Sequence, residues 1–259
     1  MHCHAGREPS HSRNAPPLIS DIGSVRLMSA AAEPALVTAP HSALVWRFDQ
    51  PIEVISSAAV GGGIGRVDWI VNVGVGSGYA RIDLDAHAAE IAADLDLQGN
   101  GTALFTAVDV EHYSTAECDG VVVHATVGVS KPTWAAEADF PVTAPDESLG
   151  LDRPASGSPG GDSTDEHNIG TINIVAQLPV ELESGAAVNA VMTITEAKTQ
   201  ALAECGIAGT GTATDAVVVA WPADGRRERF GGPRSEWGQR LAVAAHAAVR
   251  DGLTVRDSA

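Results

Sequence analysis

Residues 171–221 read TINIVAQLPVELESGAAVNAVMTITEAKTQALAECGIAGTGTATDAVVVAW, and their pattern decides the fold. The run 171–178 is apolar and rich in β-branched residues, as a buried strand requires. Beyond Pro179 the composition changes. The stretch 184–205 is alanine-rich, opens on Ser184, repeats apolar residues at Val188, Val191, Met192 and Leu202, and stops at Gly206. That is a helix with a serine cap and a glycine terminator. A Gly/Thr loop over 209–215 then feeds a second buried strand, 216–221. Strands alternating with helices predict an α/β (or α+β) class, a single domain with a mixed sheet and a few packing helices.

Working outward, 235–249 reads as a last amphipathic helix, and 43–48, 51–60, 67–75, 103–110 and 120–128 read as strands. Residues 85–95 form a helix with Asp83 or Asp85 as its cap. The cluster Gly61-Gly62-Gly63-Ile64-Gly65 superficially matches a dinucleotide loop, but such a loop must open into a helix, and this one leads into a strand. The glycines therefore mark a turn, either a plain hairpin or one where backbone approaches a ligand. Residues 1–20 are polar and proline-bearing and read as a flexible tail, followed by a domain over 21–259. Within it, 145–168 is a Pro, Gly, Ser and Asp-rich loop insertion, with strand patterns on both sides.

The chain has 259 residues with 33 Asp and Glu against 16 Lys and Arg, a formal charge of −17. Such a charge opposes binding to nucleic-acid phosphates or an anionic membrane surface. Only Lys131 and Lys198 are lysines; the other basic residues are arginines. A GC-rich genome gives that bias, and so does adaptation to a high-salt cytoplasm, where carboxylates keep a protein soluble. No signal-peptide pattern or 18-residue apolar run is present, which predicts a cytoplasmic protein. Cys3, Cys118 and Cys205 form neither a disulfide framework nor a zinc-ligand spacing. His2, Cys3, His4 and His11 lie in the tail, which fixes no coordination geometry, so no metal site and no cofactor are expected.

Several residues could carry chemistry. The densest group of small polar residues is Gly209-Thr210-Gly211-Thr212-Ala213-Thr214-Asp215: glycines admit a ligand close to backbone, while N–H and hydroxyl groups can hold an oxyanion. The same pattern also serves an ordinary turn. Glu196 and Lys198 lie deep in the long helix, about 200° apart around its axis, so one of them at most faces a given cleft. In an arginine-dominated chain a helix-interior lysine stands out, because its charge responds to burial as arginine's does not. Asp85-Ala86-His87-Ala88-Ala89-Glu90 nearly spells the D-x-H-x-x-G element that presents a histidine to cobalt, with Glu90 in place of the glycine; an exposed helix histidine is the default. No G-x-S-x-G elbow is present.

Taken together, the segments from about 43 to 250 resemble the adenosylcobinamide amidohydrolase family. The resemblance is carried by Ile55-Ser56-Ser57-Ala58-Ala59-Val60-Gly61-Gly62-Gly63, then Asn72, Tyr79 and Gly170-Thr171-Ile172-Asn173-Ile174. Thr195-Glu196-Ala197-Lys198-Thr199 and the loop ending at Asp215 complete it. Two segments depart from the family pattern: Ala213 stands where T-G-T-G-T-D has its second glycine, and Gly232-Pro233-Arg234-Ser235-Glu236-Trp237-Gly238 replaces G-T-H-S-x-L-G. The resemblance implies hydrolysis of the amide joining the corrin to aminopropanol, giving adenosylcobyric acid and 1-amino-2-propanol in coenzyme B12 salvage. For that reaction the expected roles are Glu196 or Asp215 as the base that activates water, Lys198 or N–H groups of the 210–214 loop as oxyanion donors, and Thr212 as a secondary option, a covalent nucleophile. The corrinoid would be bound by Ser56, Ser57, Gly61, Gly62, Gly63, Asn72, Tyr79, Asn173, Thr210, Gly211 and Thr214. Two rivals are a non-catalytic corrinoid-binding or carrier protein and an amidase matured by cleavage before Thr171.

Overall fold

A computed structural model describes residues 31–76, 78–136 and 170–256. The tail expected at 1–20 and the insertion at 145–168 lie outside the described residues. In chain order the strands are β1 (Ala35–Val37), β2 (Ala43–Ser56), β3 (Gly63–Gly74), β4 (Gly101–Thr106), β5 (Ser114–Cys118), β6 (Val121–Val127), β7 (Ile172–Gln177), β8 (Glu181–Leu182), β9 (Ala216–Trp221) and β10 (Arg227–Glu228). The helices are α1 (Leu84–Asp94), α2 (Ser184–Glu204) and α3 (Glu236–Arg256). Eight strands form one mixed sheet in the order β4-β3-β2-β9-β7-β6-β5, with β1 added beside β2. The segments before and after 137–169 share this sheet, since β6 pairs antiparallel with β7. The molecule is one α/β domain.

The expected strands 43–48 and 51–60 are one element. β2 runs through 14 residues, with a register shift against β3 between Arg47 and Ile52. Its first three residues pair with β1 and its last four pair with β9. Such an irregularity bends a strand. The sheet coils until β3 and β4 on one wing touch β6 and β7 on the other: Asn72 donates to Thr126 at 3.0 Å, and Asn173 donates to the Phe105 carbonyl at 3.1 Å. Leu44, Trp46, Ile70, Leu104, Val175 and Val218 fill the concave interior. Alternate residues point outward, where α1 covers Val45, Val71 and Val73, while α2 and α3 cover Val123, Ile172, Ile174 and Val219. β6, β7 and β9 are buried along their whole lengths because both faces of these strands are covered, and the polar residues within them point into the interior.

The β7-α2-β9 crossover places the chemistry. β7 and β9 run parallel, with Asn173 opposite Ala216. α2 returns antiparallel over the sheet, so its C-terminal half comes back beside the starts of both strands. Its buried face is Ala186, Ala187, Ala190, Thr193, Ile194, Ala197, Lys198, Ala201 and Leu202. Val188 and Met192, expected as core positions, are 49% and 53% exposed. Small alanines rather than larger apolar residues make the contact, because α3 lays its own alanines (Ala244, Ala245 and Ala248) into the same core. Two caps also differ from expectation. Ser184 is the first helical residue, with Glu183 at the cap position, and Asp83 caps α1 without a side-chain bond because Arg81 holds its carboxylate. Ser235 does cap α3, its Oγ accepting from the Gly238 N–H at 3.1 Å.

Candidate active site

The loop 209–215 ends at the N-terminal edge of β9, and Asp215 is the hub of everything around it. One oxygen of its carboxylate, Oδ1, accepts from the Thr212 hydroxyl at 2.5 Å and from the Ile172 N–H at 2.9 Å. The other, Oδ2, accepts from the Lys198 ammonium and from the Thr212 N–H at 3.1 Å. Lys198 is 7% exposed, an unusual place for a lysine unless its charge is met. The helix geometry selects it over Glu196, which lies on the exposed face of α2 outside this cluster. Glu196 is therefore not placed to share the work of Asp215.

Gly211 explains itself here, since a Cβ at that position would collide with both the Asp215 carboxylate and the Lys198 ammonium. Thr210 serves the loop itself: its N–H donates to the Thr133 carbonyl at 2.8 Å, and its Oγ1 accepts from the Ala135 N–H at 3.0 Å. Thr214 meets Thr171 hydroxyl to hydroxyl at 2.7 Å, as the parallel register of β7 and β9 dictates. Among the described residues the N–H groups of Ala213 and Thr214 have no hydrogen-bond partner. The arrangement is a threonine hydroxyl on a carboxylate, a cation bonded to that carboxylate, and two adjacent donors on an exposed loop. It is suited to acyl transfer.

The other expected binding residues divide into two groups. Ser56, Asn72 and Asn173 are buried and spend their polar groups internally. Ser56 bonds Thr102 at 2.9 Å and the Ala58 N–H at 3.1 Å; Asn173 donates to Asn72 at 2.9 Å. They organise the sheet behind the site and do not line a surface, except that Asn173 Oδ1 is buried without a partner among the described residues. Ser57 extends the β2–β9 ladder, its Oγ accepting from the Val217 N–H at 2.9 Å. Gly61 and Gly62 turn against backbone that leaves no room for a Cβ, while Gly63, at φ +100°, faces open space. Gly61 to Gly65 border a depression of about 270 Å³ with Asn100 and Gly101. A larger hollow, about 520 Å³, lies at the opposite end of β9 between Glu53, Glu181, Glu183 and Trp221, away from Asp215.

Tyr79 belongs to a separate cluster. Its hydroxyl lies 2.7 Å from His87 Nδ1, and the rings of Tyr79, His87 and Phe105 are roughly parallel, with centroids 5.4–5.9 Å apart. His87 is half-buried, not the exposed helix histidine its sequence suggests. Desolvation pushes its pKa down and pushes that of Tyr79 up. Beside it, Arg81 forks to Asp83 and Glu90 and holds both carboxyls low, Asp83 to about 2. Among the described residues no three His, Cys, Asp or Glu side chains gather as a metal site, and no helix is long and apolar enough to cross a membrane.

Sequence reasoning missed the Ile172 amide, because a backbone donor has no residue-type signature, and the Thr133–Ala135 strap under Thr210. Pro233 and Arg234, which depart from the family pattern, belong to the turn ahead of α3. That turn packs on the N-terminal half of α2, where the Gly231 carbonyl accepts from Thr193 at 2.8 Å.

The chain is 27% identical over 209 residues to an adenosylcobinamide amidohydrolase of Methanosarcina mazei, covering 77% of this chain and 90% of that one. It is 30% identical over 201 residues to the enzyme of the same name from Halobacterium salinarum, covering 76% and 79%. The family model for adenosylcobinamide amidohydrolase matches residues 29–259, spanning every element from β1 to α3, and this chain belongs to that family.

Proposed function

We propose that this chain hydrolyses the aminopropanol amide of adenosylcobinamide, releasing adenosylcobyric acid and 1-amino-2-propanol for coenzyme B12 salvage in a salt-rich cytoplasm. The reading rests on the chain's family and is carried structurally by one observation: the Thr212 hydroxyl lies 2.5 Å from the carboxylate that Lys198 orients. An amide carbonyl is a poor electrophile, so the site must supply a nucleophile, an oxyanion partner and a proton for the leaving amine.

Thr212 Oγ attacks the carbonyl carbon as its proton passes to Asp215 Oδ1. The Ala213 and Thr214 N–H groups take the oxyanion. Collapse breaks the C–N bond, and Asp215 returns the proton to the departing nitrogen, leaving the corrinoid acyl group as an ester on Thr212. Water, deprotonated by the same carboxylate, cleaves the ester and restores the Thr212 hydroxyl. Lys198, donating to Oδ2, holds the Asp215 carboxyl in place through the cycle.

The test is direct incubation with adenosylcobinamide, assaying 1-amino-2-propanol. Wild type releases it stoichiometrically with adenosylcobyric acid. Thr212→Ala and Asp215→Asn lose at least about 10²-fold in rate with an unchanged circular dichroism spectrum, the scale expected for loss of a nucleophile or its base. Retention of the corrinoid without release of aminopropanol would make the chain a carrier.

A further inference from the structure

A chain of contacts joins the His87 cluster to Asp215. The Phe105 ring lies roughly parallel to His87, and the Phe105 carbonyl accepts from Asn173 Nδ2 at 3.1 Å. Asn173 follows Ile172, whose N–H donates to Asp215, and is in register with Ala216. Nothing in the hydrolytic sequence above uses this histidine. Its Nδ1 is held by Tyr79 at 2.7 Å, whereas Nε2 makes no hydrogen bond among the described residues. Ring contacts with Tyr79 and Phe105 fix the imidazole plane, and burial favours its neutral form. An imidazole whose ring plane is fixed, with one nitrogen anchored and the other without a hydrogen bond among the described residues, has the arrangement that metal-ligating histidines have.

The reading of the substrate as a cobinamide supplies one. A cobinamide lacks a tethered nucleotide base, so its cobalt has an axial position open to water or to a protein nitrogen. We propose that His87 Nε2 is an axial ligand to the cobalt of the bound corrinoid. Ligation selects the tautomer in which Nδ1–H donates to the Tyr79 oxygen and the Nε2 lone pair displaces the cobalt-bound water; no oxidation state changes. Tyr79 takes the part that a carboxylate plays for many metal-bound histidines. Asp85, two residues before His87, is exposed and makes no bond to it. The proposal rests on the cobinamide reading of the site, and it assigns recognition of the ring centre to residues distinct from those that cleave the amide.

Electron paramagnetic resonance of cob(II)inamide mixed with the full chain tests it. Axial ¹⁴N splits each cobalt line into three, and protein made with [¹⁵N]histidine gives two, whereas axial water gives neither. His87→Ala and His87→Gln, each checked for native circular dichroism, abolish the splitting and weaken cob(II)inamide binding at least about tenfold. Bound and hydrolysed corrinoid without nitrogen splitting in the wild type overturns the ligation and leaves the amidase reading standing. Splitting that survives both substitutions assigns the ligand to another histidine and also overturns it. A wild type that neither binds nor hydrolyses cobinamide removes both readings.

Discussion

Lys198 on α2 and Asp215 at the start of β9, 17 residues apart in sequence, form an ion pair whose side chains are only 9% and 12% exposed. The crossover makes this meeting possible, because α2 returns its C-terminal half to the edge from which β9 departs. Two charges at such depth lose hydration that only good geometry returns, so removing one partner is worse than removing both. Lys198→Met leaves Asp215 with three neutral donors and should destabilise the chain by about 3 kcal/mol. The double variant Lys198→Met/Asp215→Asn removes both charges and keeps one acceptor oxygen, for the Ile172 N–H, so it should recover part of that loss while remaining inactive. Urea unfolding of the four members of this cycle, with aminopropanol release measured on each, checks both halves of the expectation.

Two glycines should respond oppositely to the same substitution. A Cβ at Gly211 strikes the Asp215 and Lys198 side chains, so Gly211→Ala has to push the pair apart. A loss of about 1–3 kcal/mol and near-complete loss of turnover follow. At Gly63 the Cβ meets nothing within 4 Å, and only the positive φ is penalised. Gly63→Ala should cost about 1 kcal/mol and keep kcat, since the added Cβ meets none of Lys198, Thr212 or Asp215. Thermal melts with steady-state kinetics separate the two cases.

The sequence carried the β7-α2-β9 crossover because each element has its own period and its own stop. It also carried the opposition of Glu196 and Lys198, which is helix arithmetic. It did not reveal which face of α2 is buried, because alanine, the residue that lets α2 and α3 approach, looks neutral in a hydrophobic pattern. β5 was missed for a related reason: an edge strand reading Ser-Thr-Ala-Glu-Cys shows no apolar run. Asn72, Thr126 and Asn173 were invisible as a unit, since they are joined across 54 and 101 residues by the coiling of the sheet. Lys198 was conspicuous in sequence only because lysine is so scarce in this chain.

The acidic surface predicts a salt response. With a net charge of −17, carboxylates repel one another at low ionic strength, where the screening length is about 10 Å at 0.1 M; near 1 M it falls to about 3 Å. Pairs such as Arg66–Glu53 and Arg226–Glu236 are exposed and lose little when screened. Raising KCl from 0.1 to 2 M should lift the melting temperature by roughly 5 °C, the shift that about 2 kcal/mol makes in a domain of this size. A melting temperature indifferent to KCl would leave genome composition as the whole reason for the lysine deficit.

His124 should make the fold sensitive to acid independently of the active site. Its ring is buried in the concave interior against Trp46, with a centroid distance of 5.6 Å; Thr115 holds Nδ1 at 3.0 Å, and Nε2 has no partner among the described residues. Desolvation pushes its pKa down to about 4. The unfolded chain takes up this proton near the ordinary histidine value, about 6.5, while the folded chain does not until about pH 4. Between those values the unfolded state holds more protons, so stability rises with pH there, by up to about 1.4 kcal/mol per unit. Above pH 6.5 the residue is neutral in both states and the dependence vanishes. His124→Asn should flatten the slope between pH 6.5 and 4 relative to wild type, whatever its effect on stability at pH 7. Urea unfolding at pH 7, 5.5 and 4.5 gives the comparison, and parallel slopes in the two proteins would assign the acid sensitivity to other groups.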